Sequence, residues 1–327
     1  MTHMDTTEDI QALVTKLRFR HLRVLITLDE SGSMHRAADL LCLTQPAVTK
    51  ILLEVESAIG VQLFERSAHG VVATPSGRCV IRYARVMSAE LARMSAEVRA
   101  LEAGQGGTVS LGAVAGAFPT IAVRAVINMQ RNHPGITVKL REGTSASLLA
   151  DLSEGLLDVA ICRTAVCANP DIFDRVEFGA ERIAVVAGPD SPLSRGGVSS
   201  LADLCTRRWV LYPNRMPAQR LLERELMEQG LEMPTHPIEA SSTFVTILLL
   251  NADPGLVSLV SRETAEIFAA KRLVSILPVT IRARTEPYEL VTRRGSDLSP
   301  SAGLLIDALK RSARQQTREA EVEDVAP

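Results

Sequence analysis

The stretch LTQPAVTK, Leu43 to Lys50, places a proline in a run that otherwise has helical character. Inside a helix, proline removes a backbone donor and clashes with the preceding turn, at a cost of about 3 kcal/mol. The neighbouring residues resolve the conflict. Ser33 is a natural cap for a helix ending near Leu41, with Ala37, Ala38 and Leu41 on one face. Thr44 caps the next helix, so Pro46 falls in its first turn, where the missing N–H has no intrahelical partner to lose. The proline therefore starts a helix, expected to run to about Ile59. Val48, Leu52, Val55 and Ile59, spaced 4, 3 and 4, form its buried stripe. Gln45, Thr49 and Lys50 share the opposite face near its start.

Two short helices joined by a tight turn, the second presenting polar donors at its N-terminal end, have the layout of a helix-turn-helix. In that layout Gln pairs with adenine, and Lys reaches guanine or a phosphate. An ordinary helical hairpin with a solvated polar face fits the same eight residues equally well. The flanks favour the first reading. IGVQLFERSAHGVVATPSG, 59–77, reads as a helix end, a strand, a turn at His69-Gly70, a second strand and a helix started by Thr74-Pro75, which is a β-wing. Residues 16–85 hold ten Lys/Arg against six Asp/Glu, a net +4, so in a chain of net charge -2 the remainder carries -6. Such asymmetry marks the first segment as the nucleic-acid-facing part.

Beyond the wing, 75–103 forms one long helical pattern. Met87, Leu91, Met94, Val98 and Leu101 repeat at 4, 3, 4 and 3, an a/d seam. The seam is short enough to suit docking on its own domain as well as on a second helix. GQGG, 104–107, is a hinge by composition. From 108 onward strand-like runs (TVSLGAV, ITVKLRE, LDVAICR, RIAVVAG) alternate with helical ones, which argues for α/β units with mainly parallel sheets. The tail, 313–327, is polar and is expected to fray.

Composition narrows the class. Hydrophobic residues make up 46% and charged residues 23% of 327, enough for about two domains with real cores. The N-terminal MTHMDTTEDIQ has no apolar h-region, and no apolar run reaches the ~18 residues of a membrane span, so no membrane association is expected. Five scattered cysteines without a CxxC suggest a reducing, cytoplasmic setting, with thiols serving as small apolar side chains. No GxGxxG, GxxxxGK, GxSxG or HExxH occurs, and the six histidines share no ligand spacing, so neither an enzyme nor a metal site nor a cofactor is expected.

Read together, FRHLRVLITLDESGSMHRAADLL, LTQPAVTKILLEVESAIGVQLFER and the TPSG helix start resemble the N-terminal region of LysR-type transcriptional regulators. EGTSASLLADLSEGLLDVAI, GPDSPLS and LLLNADPGLVSLVS resemble that family's effector domain. The resemblance spans nearly the whole chain. It implies an α/β protein with a winged helix-turn-helix (16–74), a linker and dimerisation helix (75–103) and an effector domain of the periplasmic-binding-protein type (104–312). That domain would have one subdomain at about 108–179 and 285–312 and a second at about 180–284. Implied partners are double-stranded DNA carrying an inverted repeat, a small-molecule effector, RNA polymerase, and further copies of the chain in a dimer or tetramer. Ser33, Arg36, Thr44, Gln45, Pro46, Thr49 and Lys50 become the candidate DNA-contact residues, joined in the wing by Arg66 and by His69, where relatives often carry arginine. A histidine there, with its usual pKa near 6.5, is mostly neutral at pH 7. Arg66 also suits an ion pair with Glu56 or Glu65.

In the implied effector cleft, Thr144 or Ser145 caps a helix after a strand, with hydroxyl capacity to spare. YPNRMP supplies Asn214 and Arg215, the latter suited to a planar carboxylate and hence to a small organic anion. ASST offers Ser241. Gly116, where relatives place a hydroxyl, permits close backbone approach but donates nothing. Thr144 and Ser145 also serve as caps alone, and Arg215 as a solvated surface residue. Arg163 is read as holding a strand end or a subunit contact, and Asp158 as structural.

Overall fold

The computed structural model describes residues 16–67, 70–102, 106–196, 200–214 and 216–323, with the side chains of 66–67, 100–101 and 317–323 outside the description. Two compact units result: 1–107 with 150–157, and 108–149 with 158–327.

The first unit opens with α1 (Phe19–Ser31), α2 (Met34–Leu41) and α3 (Gln45–Ile59). Ser33 Oγ accepts the Arg36 N–H, and Thr44 Oγ1 accepts the Ala47 N–H, each at 3.4 Å, so both helix starts carry side-chain caps. Pro46 sits in the first turn of α3. Val48, Ile51, Leu52 and Val55 of α3 are buried against Leu25 and Leu28 of α1 and Ala37 and Ala38 of α2 in one core. Ile59 is only partly buried at its margin.

Strands β1 (Phe64–Ser67) and β2 (Gly70–Ala73) pair antiparallel as the wing. Gly70 has φ +124°, and a Cβ there would lie 2.4 Å from the Gly32 carbonyl oxygen, so this position admits only glycine. The wing is also tied to α3: Glu56 Oε1 accepts the N–H groups of Leu63 at 2.8 Å and Phe64 at 3.3 Å. Glu56 thus has backbone partners of its own. Glu56→Ala is expected to cost about 1–3 kcal/mol, because two amides lose a charged acceptor. Hydrogen exchange at Leu63 and Phe64 checks this, since unchanged protection would remove the role.

Thr74 Oγ1 accepts the Gly77 N–H at 2.9 Å and starts α4 (Pro75–Glu102). Its first half belongs to the core through Ile81 and Ala84, and Arg85 pairs with Asp29 of α1 at 2.8 Å.

The second unit contains two five-stranded sheets. The first sheet is built from β3 (Thr108–Ala113), β4 (Thr137–Glu142), β5 (Val159–Cys162), β6 (Phe173–Ala180) and β12 (Pro287–Arg293), in the order β4-β3-β5-β12-β6. The second uses β7 (Ile183–Ala187), β8 (Arg208–Leu211), β9 (Ile238–Glu239), β10 (Leu256–Ser261) and β11 (Ser275–Ile276), in the order β11-β7-β10-β8-β9.

The sheets are mixed, which corrects the expectation of mainly parallel strands. β3 runs parallel to β4 and β5, and β8 to β9 and β10, whereas β12 is antiparallel to β5 and β6, and β7 to β10 and β11. The antiparallel strands are those next to the crossings between sheets, where no crossover helix returns the chain to its starting edge.

The helices are α5 (Val123–Asn132), α6 (Ser145–Ser153), α7 (Pro217–Glu228), α8 (Thr243–Ala252), α9 (Arg262–Ala270) and α10 (Pro300–Glu323). A second correction concerns the tail: α10 continues through 313 to Glu323, with Leu305, Leu309 and Ala313 buried at helical spacing. Trp209, the single tryptophan, is buried on β8 and donates from Nε1 to the Leu204 carbonyl at 3.0 Å. Among the described residues no helix is long and apolar enough to cross a membrane.

Candidate nucleic-acid interface and ligand cleft

Capping by Thr44 orients the start of α3 so that Gln45, Pro46, Thr49 and Lys50 line one wall of an open groove of about 1090 Å³. The groove is also lined by Lys16 and Arg18, from the segment leading into α1, and by Arg20 in its first turn. Gln45, Pro46 and Lys50 are exposed, and Thr49 is half-buried. The groove therefore joins hydrogen-bonding side chains on a helix start to a bank of cations, the two components of base readout and phosphate contact.

Lys16, Arg18 and Arg20 were not singled out in the sequence, although KLRFRH packs the cations together around the start of the helix. Arg36 is exposed one turn into α2, and Ser33 is occupied as a cap. Arg66 pairs with Val71 in the wing register; its side chain and all of His69 lie outside the described residues.

His21 forms the floor of the groove. It is 3% exposed; Nδ1 accepts the Arg18 N–H at 3.4 Å, and Nε2 faces Glu54 at 3.7 Å without a hydrogen bond. Burial lowers its pKa, Arg20 adds to the effect, and Glu54 opposes it. The ring is thus neutral, an acceptor at Nδ1 and a donor at Nε2.

On α4, Met87, Met94 and Val98 are about half exposed and Leu91 is partly buried, so an apolar stripe stands uncovered along the second half of the helix. The Leu101 side chain lies outside the described residues.

In the second unit the expected ligand residues fall at strand ends. The register pairs Ala113 of β3 with Glu142 of β4, so Gly116 and Thr144 follow adjacent strands. Thr144 caps α6, accepting the Ser147 N–H at 3.2 Å, and is exposed. Ser145 is buried, and its Oγ accepts the Arg163 N–H at 3.2 Å, so it holds the end of β5. Asn214 and Ser241 are exposed, after β8 and ahead of α8 respectively. Tyr212 and Thr243 link these two segments through a hydroxyl pair at 3.3 Å. Ser242, not Ser241, caps α8. Arg215 lies outside the described residues.

The open side of Gly116 is already filled. A Cβ there would lie 2.1 Å from Glu181 Oε1 and 2.2 Å from the Tyr288 hydroxyl. These side chains belong to a buried cluster centred on Arg163, which is 4% exposed. Its Nε donates to the Glu286 carbonyl at 2.9 Å, and NH2 donates to Glu181 Oε2 at 2.8 Å and Thr285 Oγ1 at 3.3 Å. Its guanidinium lies 4.4 Å from the Tyr288 ring centre. Arg163 thus fastens the end of β5 to both chain crossings between the sheets. Asp158 accepts the N–H and hydroxyl of Ser110, each at 2.8 Å, a strand-to-strand tie.

Among the described residues no group of His, Cys, Asp and Glu is placed to hold a metal ion. Burial pushes the Cys162 thiol up to about 12, leaving it an inert apolar filler; Cys42 and Cys79, by contrast, are exposed.

Two family models match the chain. The family model for the bacterial regulatory helix-turn-helix protein, lysR family, matches residues 19–78, and that for the LysR substrate binding domain matches 102–314. The chain is 30% identical over 309 residues to the HTH-type transcriptional regulator GbpR of Azospirillum brasilense, covering 94% of this chain and 90% of that one. It is also 30% identical over 300 residues to the RuBisCO operon transcriptional regulator of Allochromatium vinosum, covering 91% and 98%. Among solved structures, CbnR, a LysR family transcriptional regulator, superposes with a TM-score of 0.65 at 21% identity, covering 91% and 99% of the two chains.

Proposed function

The chain belongs to the LysR family of DNA-binding transcriptional regulators with effector-binding domains, and from this premise we propose that it reads an inverted-repeat operator through α3. The observation that carries the proposal is the groove that Gln45, Thr49 and Lys50 line together with Lys16, Arg18 and Arg20. The first set reads bases and the second neutralises phosphates. A two-fold pair of such heads reads two half-sites, with α4 supplying the pairing surface. The protein works in the cytoplasm, as a dimer or a tetramer, alongside RNA polymerase at the promoter. A small molecule bound in the second unit shifts operator binding or activation by its differential affinity for two cleft states.

Selection of binding sites from random DNA, followed by footprinting, tests this directly. Gln45→Ala is expected to cost about 1–3 kcal/mol on the selected site and to leave random DNA unaffected. Equal losses on both would show that Gln45 does not read sequence. Replacing Lys16, Arg18 and Arg20 by alanine is expected to weaken both kinds of DNA alike and to reduce the salt slope by about 1 for each phosphate no longer neutralised. An unchanged slope would remove these cations from the interface.

A further inference from the structure

The start of α1 is capped in an unusual way. Its N-cap residue is Arg18, whose side chain has no acceptor to offer, and His21, the third helical residue, supplies one instead. The His21 N–H donates to the Arg18 carbonyl at 2.8 Å, and the Arg18 N–H donates back to His21 Nδ1 at 3.4 Å. The N–H and the carbonyl of Arg18 are thus tied to one residue, the backbone half of a capping box. Leu17 packs at the margin of the core, which fixes the depth of this segment but not the direction of the Arg18 backbone.

The far side of the same ring reaches α3. Nε2 is buried, makes no hydrogen bond and faces Glu54 Oε2 at 3.7 Å. Burial and the Arg20 charge keep the ring neutral against the pull of Glu54, so Nδ1 retains the lone pair that Arg18 needs, and the Nε2–H dipole is left for the carboxylate. Glu54 is otherwise out of place. It is an exposed anion in a groove lined by Lys16, Arg18, Arg20 and Lys50, where it repels any phosphate those cations attract. Its contact with His21 gives it a use there.

Phosphate contacts carry no sequence information, but they fix where a protein sits on the duplex. The spacing between the cations and the base-facing residues therefore decides whether both sets are met at once. We propose that His21 is a positioning residue for sequence recognition: by bracketing Arg18 to Glu54 it holds the cation-bearing segment in register with Gln45, Thr49 and Lys50 of α3. This rests on the reading of α3 as the helix that contacts bases. On random DNA the register matters little, because the cations find phosphates at any position.

Titration of the full chain with its selected operator and with random duplex, at one salt concentration, tests the bracket through the ratio of the two affinities. His21→Leu fills similar space with neither polar contact. It is expected to bind the operator roughly tenfold more weakly and to stay within about threefold of the parent on random DNA. His21→Gln keeps an acceptor for the Arg18 N–H, as a capping-box glutamine does, and a donor for Glu54, so it is expected to restore the ratio. Glu54→Leu, at an exposed site, removes an anion from the groove. Charge alone predicts that both complexes tighten alike, whereas loss of the bracket predicts that the ratio falls. A residue that merely supports the fold would lower both affinities by one factor, along with the thermal midpoint. That result overturns the proposal, as does an unchanged ratio in His21→Leu or Glu54→Leu, or a His21→Gln ratio no better than that of His21→Leu. Gln45→Ala on the same duplexes reports on base reading by α3 alone, so a failure of that reading is told apart from a failure of the bracket.

Discussion

Arg163→Ala is expected to destabilise the second unit by about 3–5 kcal/mol, the cost of removing one partner from a buried ion pair. The two side chains are 5% and 12% exposed and 2.8 Å apart, so Glu181 would be left as an uncompensated buried carboxylate. Three further acceptors, the Glu286 carbonyl, Thr285 Oγ1 and the Tyr288 ring face, lose the same guanidinium. Trp209 offers a direct reading, since it is the sole tryptophan and lies buried in the second sheet. Denaturant unfolding followed by its emission should show the midpoint fall. Adding Glu181→Ala should return part of the loss, because the orphaned charge goes with it. A single variant within about 1 kcal/mol of the parent would mean that water reaches Glu181 and that the pair is worth no more than a surface one.

The second large effect concerns the uncovered stripe of α4. Met87 (48% exposed), Met94 (57%) and Val98 (49%) have little cover from their own chain and share one face of the helix. Leu91→Glu with Met94→Glu places charge where a partner helix would bury it, and each unpaired buried ion costs several kcal/mol. The double variant is expected to sediment as a monomer at concentrations where the parent is a dimer. It should lose operator affinity as well, because a single head reads only one half-site. A variant that remains dimeric would assign the stripe to another contact. Its thermal unfolding should otherwise stay near the parent's, since Ile81 and Ala84, the residues that anchor the helix in the core, lie earlier in α4.

What the sequence made readable was local. Ser33, Thr44 and Thr74 announce their helices because each cap is completed within three residues, by Arg36, Ala47 and Gly77. The stripe on α3 follows from periodicity alone, with Ile51 the one buried position that the 4, 3, 4 spacing passed over. The candidate ligand residues were much less legible. Arg163 finds Thr285 and Glu286 at separations of 122 and 123 residues, and no spacing rule reaches that far. Gly116 looked like room for a ligand, because the groups that fill it come from Glu181 and Tyr288, far along the chain. Lys16, Arg18 and Arg20 stood in plain view, but only the fold brings them to one groove with the start of α3. The antiparallel strands escaped for the same reason: the partners of β12 are set by the second crossing between the sheets, not by local alternation.

The position of β12 also governs how the chain emerges during translation. It lies between β5 and β6, and among the described residues β6 pairs with no other strand. Residue 287 follows residue 180 by 107 positions, so at ~5–20 residues per second β6 waits about 5–20 s for its partner. The second sheet, whose strands all fall within 183–276, is completed on the ribosome before the first. Until then the nascent chain carries an unpaired strand edge, the kind of surface that chaperones shield. Any stalled or prematurely stopped message that ends between 276 and 287 yields a finished second sheet attached to a split first one, a product that quality-control proteases can recognise by its open edge.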